Sequence, residues 1–411
     1  MYYTWYRPGT TLHVESLCPS IVCSVSKSDS RSRSKKLTET YNMRIGVDGR
    51  ELFGQPTGTG RYLDNLCREW ALLSTAKECE IVVYTPTPLN SGSLGDNVGA
   101  KVTHRVVPGT GSVWWEQTAL ANQANSDHLD VFFGPSYSLP LRIAMPSVVT
   151  LHDISFFSHP EWFGWREGFR RRWLARQSIT RAQTIITVSD FCKKELLNYL
   201  NVEPSNISVI YNGISSKALN TPSLPDSTEQ IILYVGAVFN RRNLPTLISA
   251  FGHIARRLPH THLVIVGPNR TQPRQDLTKL SETHGVADRI QFLSYVEESE
   301  LAQLYRDASV FAFLSEYEGF GMTPLEALST NVPALVGDTP VAREVYKGSV
   351  LYVQPTDVDS VTTGLLELLT NTSLRHTLLT NAKPVLAELT WVRAAQNTLD
   401  VLMTAVKKYP S

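Results

Sequence analysis

Ser309-Val-Phe-Ala-Phe-Leu-Ser-Glu-Tyr-Glu-Gly-Phe-Gly-Met-Thr-Pro-Leu-Glu-Ala-Leu328 runs from a short apolar stretch, through a Gly-Phe-Gly turn, into a segment headed by Thr323 and Pro324. Ser309 to Phe313 reads as a buried strand. Gly319 and Gly321 permit backbone geometry and close approach that a Cβ would block. Thr323 and Pro324 mark a helix start, where free N–H groups and the positive dipole end suit a phosphate. Glu318 precedes the turn, and Glu326 falls about one turn into the helix. As a bare spacing, two glutamates on a loop and a helix face mean little. Fed by a strand and separated by this turn, they suit holding a sugar near Glu318 and ribose hydroxyls at Glu326, the alternative being two glutamates with no shared task.

Outward from this unit the same alternation repeats. Strands are predicted at 44–48, 80–84, 101–107, 130–133, 147–151, 184–187 and 207–210, with helices near 60–75, 114–125, 164–181 and 189–200. After a Pro- and Ser-rich stretch, 219–230, the pattern restarts. Its strands are predicted at 231–235, 262–266, 290–293, 309–313, 333–335 and 350–353, and its helices near 243–257, 297–306, 323–329, 358–370 and 391–408. Short, continuously apolar strands alternating with helices indicate parallel sheets covered on both faces. The fold class is therefore α/β, with two doubly wound units and a linker between them. Ligands bind such sheets at the carboxyl ends of the strands.

The chain has 411 residues, 42% hydrophobic and 19% charged, with a net charge of +1. That length fits two domains. The charge balance gives no global field for nucleic acid or an anionic membrane, although it says nothing about local patches. The five cysteines, Cys18, Cys23, Cys67, Cys79 and Cys192, are odd in number and form no Cys-x-x-Cys pair, which fits a reducing compartment. No run of about 18 apolar residues occurs. Residues 1–42 read as a disordered leader, Ser-rich and mixed in charge, with its apolar run on the wrong side of the basic cluster for a signal peptide. Met43 directly precedes the first convincing strand and is expected to be the working start.

Gly236-Ala-Val-Phe-Asn-Arg241-Arg242-Asn243 follows the strand 231–235. Two adjacent arginines at a strand's carboxyl end can clamp a diphosphate with charge-assisted bonds. The alternative is a solvated pair at a helix start. His152-Asp153 follows the strand 147–151, where a histidine can meet a sugar hydroxyl or a leaving oxygen; such a pair also serves as a turn or cap. Thr57-Gly58-Thr59-Gly60-Arg61-Tyr62 opens the helix at 60–75. It is a poor dinucleotide fingerprint, lying about ten residues past its strand without a third glycine, but is plausible as a loop roofing a cleft. Asp357-Val-Asp359 spells a metal-binding pattern, yet it starts an amphipathic helix and is better explained as a cap. Trp165-Arg-Glu-Gly-Phe-Arg-Arg-Arg-Trp-Leu-Ala-Arg176 is a basic, aromatic-rich helix. It suits either an anionic membrane surface or, more simply, a solvated basic face.

Together these residues resemble the retaining glycosyltransferases of family 4, of GT-B architecture, over nearly all of 43–411. Glu318 and Glu326 match the family's Glu-x7-Glu motif, and Gly236 to Asn243 its phosphate loop. His152-Asp153 matches its His-Asp pair, Tyr211-Asn-Gly213 its Asn-Gly pattern, and Gly58 to Tyr62 its first glycine loop. Trp114-Trp-Glu-Gln117 and Gly134-Pro-Ser136 resemble its mannosyltransferase-like branch. Trp391 matches a tryptophan near the final helix. Two departures stand out: Arg242 replaces a lysine, and Ser294 replaces a glycine.

The resemblance implies two Rossmann-like domains facing across a cleft, an acceptor-side domain at 43–218 and a nucleotide-sugar domain at 231–390. A C-terminal helix, 391–411, then crosses back to the first. It implies that His152, Arg241, Arg242 and Glu318 act at the reacting centre. The donor is held by Gly60, Gly236, Asn243, Tyr295, Val296, Gly319, Phe320, Gly321, Thr323, Leu325 and Glu326. The implied donor is a nucleotide-diphosphate sugar, GDP-mannose first, and the acceptor a glycan or lipid-linked sugar. No cofactor or essential metal is expected, and no nucleic acid. The chain is expected in the cytoplasm, with a peripheral contact at the inner membrane face. The alternatives are a UDP-sugar-dependent glucosyl- or N-acetylhexosaminyltransferase, a nucleotide-sugar 2-epimerase, a nicotinamide dehydrogenase, and a catalytically dead carbohydrate-binding module.

Overall fold

The computed structural model describes residues 43–53, 58–89, 102–214 and 229–408. The leader 1–42, the start of the glycine loop and nearly all of the 219–230 stretch lie outside these residues.

The first sheet has seven parallel strands: β1 (Met43–Asp48), β2 (Cys79–Thr85), β3 (Val102–Val106), β4 (Val131–Gly134), β5 (Ser147–Leu151), β6 (Thr184–Thr187) and β7 (Ile207–Val209). Their order is β3-β2-β1-β4-β5-β6-β7. The second sheet has six, also parallel: β8 (Gln230–Val235), β9 (Thr261–Val266), β10 (Ile290–Leu293), β11 (Val310–Phe313), β12 (Ala334–Gly337) and β13 (Leu351–Val353). Their order is β10-β9-β8-β11-β12-β13. In each sheet the order reverses once, between β1 and β4 and between β8 and β11. A doubly wound sheet opens its ligand crevice at that point. The central strands are buried along their length, so their sequences read as unbroken apolar runs rather than alternating ones.

Each predicted strand and helix has a counterpart within a few residues. Among the described residues, besides the short Ser155–Ser158, three further helices of seven residues or more were not anticipated: Leu277–Thr283, Pro340–Tyr346 and Thr372–Glu388. The last is 17 residues long, yet it buries only Leu378, Ala382, Val385 and Leu386 and carries Pro384 inside it. Its apolar stripe is thin, and an internal proline argues against a helix. The segment 113–126 is helical throughout, but Glu116–Leu120 is a π-helical insert, a form often found beside functional sites.

The final helix, Trp391–Lys408, packs with the first sheet. Trp391, Ala395, Leu399 and Leu402 share a core with Val47, Leu66 and Phe133, and the Trp70 indole N–H donates to the Ala395 carbonyl at 2.9 Å. The two crossing segments run side by side, bridged at Ile214 and Thr390. A Cβ on Gly213 would lie 2.2 Å from the Trp391 nitrogen, so only glycine lets the two backbones touch there.

Candidate active site between the two sheets

Gly236 ends β8 with a φ of +143°, and a Cβ there would meet the Arg242 guanidinium at 2.7 Å. The glycine is thus a floor on which Arg242 lies. Arg242 is held from three sides. Its Nη2 pairs with Glu318 Oε1 at 2.9 Å, its cation lies 4.7 Å from the Phe313 ring centroid, and its guanidinium is buried. Burial is the largest single influence and lowers its pKa, but Glu318, Tyr234 and Tyr346 together outweigh it, and the pKa stands above the usual arginine value. Glu318 is held in turn by the Ser315 hydroxyl, which donates to Oε1 at 2.7 Å. Two of the four residues expected at the reacting centre, Arg242 and Glu318, are therefore one ion pair across the carboxyl ends of β8 and β11.

Arg241 has other neighbours. Its guanidinium lies 4.6 Å from the Phe239 ring and 5.5 Å from Trp162, a residue of the first domain. Asn243 takes a left-handed conformation (φ 51°), and its amide donates to the Leu314 carbonyl at 3.1 Å. Its side chain thereby ties the loop to the end of β11.

The helix Met322–Ser329 begins at Gly321, whose φ is +84°. Any Cβ at Gly321 would collide with the Tyr346 hydroxyl, which donates to the Gly321 carbonyl at 2.7 Å. Phe320 and Leu325 bury their side chains in the core, so only their backbones face outward. Two buried polar atoms near this helix start, Thr323 Oγ1 and Arg242 Nε, have no hydrogen-bond partner. Native interiors rarely leave such atoms unpaired unless a ligand or water completes them. Glu326 is already engaged: Oε1 pairs with Arg61 at 2.9 Å, and Oε2 accepts from the Tyr305 hydroxyl at 2.9 Å. Tyr295 and Val296 follow β10; Tyr295 is exposed and Val296 buried.

The first domain meets this turn directly. A Cβ on Gly319 would lie 1.6 Å from the His152 carbonyl oxygen, so the two backbones are in contact. The Ser189 hydroxyl donates to the Gly319 carbonyl at 2.7 Å. His152 Nε2 donates to the Pro135 carbonyl at 2.8 Å, which makes Nδ1 the acceptor of the neutral ring. Burial holds the His152 pKa below its ordinary value. Asp153 serves as a cap: its Oδ1 accepts from the Ser155 amide and hydroxyl, and the Tyr137 hydroxyl donates to Oδ2 at 3.2 Å. Gly60 is buried in the first turn of the helix Gly58–Leu72, and Arg61 beside it reaches over to Glu326. Asp357 likewise caps a helix, its Oδ1 accepting from the Asp359 and Ser360 amides.

Several contacts went unanticipated. Arg61 was visible within its motif, but nothing local predicted its partner. Glu344 caps the helix Asp190–Tyr199 from the other domain, its two oxygens accepting from the Asp190 and Phe191 amides at 2.7 and 2.8 Å. Glu116, on the π-helical insert, pairs with Arg50 and accepts from the Ser138 hydroxyl at 2.7 Å. Arg50 also pairs with Asp48 at 2.8 Å, and burial pushes the Asp48 carboxyl up to about 6. Gln117 braces the Leu139 carbonyl and the Leu141 amide. Together Glu116 and Gln117 fix the loop that carries Ser136 to Ser138.

Two Rossmann-like domains that meet at their strand ends are the architecture of the GT-B class of glycosyltransferases. A model described as "Glycosyl transferases group 1" matches residues 216–385, and one described as "Glycosyltransferase Family 4" matches residues 56–217. The chain belongs to the family 4 glycosyltransferases. It is 27% identical over 284 residues to the O-antigen chain mannosyltransferase B of Escherichia coli, spanning 66% of this chain and 73% of that one. It is 31% identical over 212 residues to the O-antigen chain mannosyltransferase RfbU of Salmonella typhimurium, spanning 52% and 58%. HepE of Anabaena, solved with UDP and glucose, superposes with a TM-score of 0.69 over 88% of this chain and all of that one at 18% identity, which shows a shared fold.

Proposed function

We propose that this chain transfers mannose from GDP-mannose to a hydroxyl of a glycan or lipid-linked sugar, with retention at the anomeric carbon. The observation that carries the reading is the Arg242–Glu318 pair on the Gly236 floor, facing the start of the helix Met322–Ser329 with its unpaired Thr323 hydroxyl. Arg242, Arg241 and the helix N-terminus supply positive charge where the departing diphosphate gathers negative charge. Glu318 and His152 lie on the sugar side. Glu326 accepts from the ribose hydroxyls once Arg61 lets go, and Tyr295 and Val296 flank the base. The bond from the anomeric carbon to the phosphate oxygen breaks as the acceptor oxygen attaches on the same face. The acceptor proton passes to the departing phosphate oxygen. In this reading no metal is required, since the arginines hold the charge. The mannose assignment draws on the two O-antigen mannosyltransferases above. The free, buried Cys67, Cys79 and Cys192 favour a reducing cytoplasm.

A thermal-shift screen against GDP-, UDP- and ADP-sugars tests the donor. Stabilisation by GDP-mannose is expected; stabilisation by a uridine donor alone overturns mannose. A product of inverted anomeric configuration overturns retention, and a sugar epimer released without acceptor overturns transfer. Loss of turnover in EDTA with recovery in Mn²⁺ overturns metal independence.

A further inference from the structure

The helix Trp165–Arg181 has two apolar faces. One is buried in the first domain through Gly168, Leu174, Ala175, Ser178 and Ile179. The opposite one carries Trp165, Phe169 and Trp173 at the i, i+4, i+8 spacing of a single helical stripe. These three are 76%, 64% and 49% exposed. A basic helix that merely solvates its charges would turn its aromatics inward; this one turns them out.

The same helix holds six arginines against one glutamate, a net of +5 in a chain whose total is +1. Three of the arginines have hydrogen-bond or ion-pair partners, two of them inward and one on the surface. Arg172 donates to the Phe156 carbonyl and Arg181 to the Ile143 carbonyl, while Arg171 pairs with Glu167. By helical angle Arg166 and Arg170 border the aromatic stripe, and Arg176 falls in line with it beyond Trp173, its cation 5.1 Å from the Phe157 ring centroid. Arg166 lies 5.1 Å from the Trp165 ring centroid. Among the described residues no helix is long and apolar enough to cross a membrane. Tryptophan and phenylalanine between arginines suit the interfacial layer of a bilayer, where rings insert beside headgroups and cations meet anionic lipid.

A pocket of about 330 Å³ adjoins this helix. Arg170, Arg171 and Leu174 form one wall, and Val113, Ser136 and Tyr137 stand across from them. The Tyr137 ring lies 5.9 Å from that of His152, so the pocket reaches the reacting centre. Trp114, next after Val113, is 80% exposed.

We propose that the Trp165–Phe169–Trp173 face docks this chain on an anionic bilayer surface and turns the pocket toward an acceptor carried on a lipid. The docking stands on its own observations; the lipid-borne acceptor rests on the transferase reading above.

The test is co-sedimentation of the full chain with phosphatidylcholine vesicles, with and without 30 mol% phosphatidylserine. Partitioning onto the anionic vesicles is expected, with release as salt rises to 0.5 M. The triple variant Trp165→Ser, Phe169→Ser, Trp173→Ser should lose at least tenfold in partition coefficient while keeping its thermal midpoint. If it fails to fold, Arg166→Gln with Arg176→Gln serves instead, with about a fivefold loss per arginine. Equal partitioning onto both vesicle types, or unchanged partitioning of a folded variant, overturns the proposal. A dimer that the aromatic variant abolishes would make a second copy of this chain the occupant and also overturn it. GDP-mannose thermal shifts on the same samples separate this outcome from failure of the donor reading.

Discussion

Replacing Arg242 with alanine should produce two separable losses. The Arg242 and Glu318 side chains keep only 12% and 18% of their exposure, so removing the cation strands a largely buried carboxylate. Breaking such a pair costs about 3 kcal/mol of stability, near the low end for buried pairs because some solvent reaches both groups. Losing a charge aimed at the departing diphosphate costs about 3–4 kcal/mol in the transition state, or roughly a hundred- to a thousandfold in kcat/KM. Urea unfolding reads the first loss, and single-turnover transfer from GDP-mannose, well below the variant's midpoint, reads the second. Adding Glu318→Gln to Arg242→Ala should restore much of the stability, because it removes the stranded charge, and none of the rate. Arg242→Lys keeps a cation but not the planar fork that meets both carboxylate and phosphate, and a loss of about tenfold is expected. Wild-type turnover in a folded Arg242→Ala would refute the assignment outright. Recovery of rate along with stability in the double variant would reduce Arg242 to a structural role.

Gly319→Ala puts a methyl 1.6 Å from the His152 carbonyl oxygen, which only separation of the domains relieves; a fall in kcat of tenfold or more is expected, and unchanged turnover would show that the contact is dispensable. Arg61→Ala frees Glu326 for the nucleotide. Because Arg61 is 46% exposed the pair is worth up to about 1 kcal/mol, so donor Kd should tighten two- to fivefold by calorimetry, and weaker binding would instead make Arg61 a donor contact. His152 has a depressed pKa in the folded chain, so its neutral form contributes stability that is full above about pH 6.5 and is lost as pH falls through the lower folded value. The stability difference between wild type and His152→Asn should therefore shrink on acidification, and a pH-independent difference would contradict it.

The alternation of strand and helix was legible because both faces of each sheet are covered, which turns strands such as Ser147–Leu151 into unbroken apolar runs. Glycines were legible for a similar reason: Gly236 and Gly321 sit where only a missing Cβ fits, and that requirement is local. The partnerships were not. Arg242 and Glu318 are far apart in sequence, and Arg61 and Glu326 lie on different domains, so no spacing rule joins them. Glu326 was read as free to meet a ribose, and the structure shows it held by Arg61 and Tyr305. His152 was expected across a cleft from the glutamates, yet its backbone touches Gly319. The direction in which a helix turns its second face is equally invisible in composition; for Trp165–Arg181 a solvated basic face was the simpler expectation, and the exposed rings were found only in three dimensions.

The return of the last helix to the first sheet has a consequence for how the chain is made. Trp391, Ala395 and Leu399 fill the core against β4 and β5, the strands that lead into Gly134 and His152. During synthesis those strands leave the ribosome early, but the residues that seal them emerge only after the whole second domain has been translated. The second domain, whose described core draws on residues of one nearly continuous segment, can close first, while the earlier half waits with an open apolar face. A nascent chain stalled or cleaved before Trp391 would thus present a finished second domain tethered to an unsealed first one, a species that chaperones and proteases would recognise by the open apolar face of its earlier half.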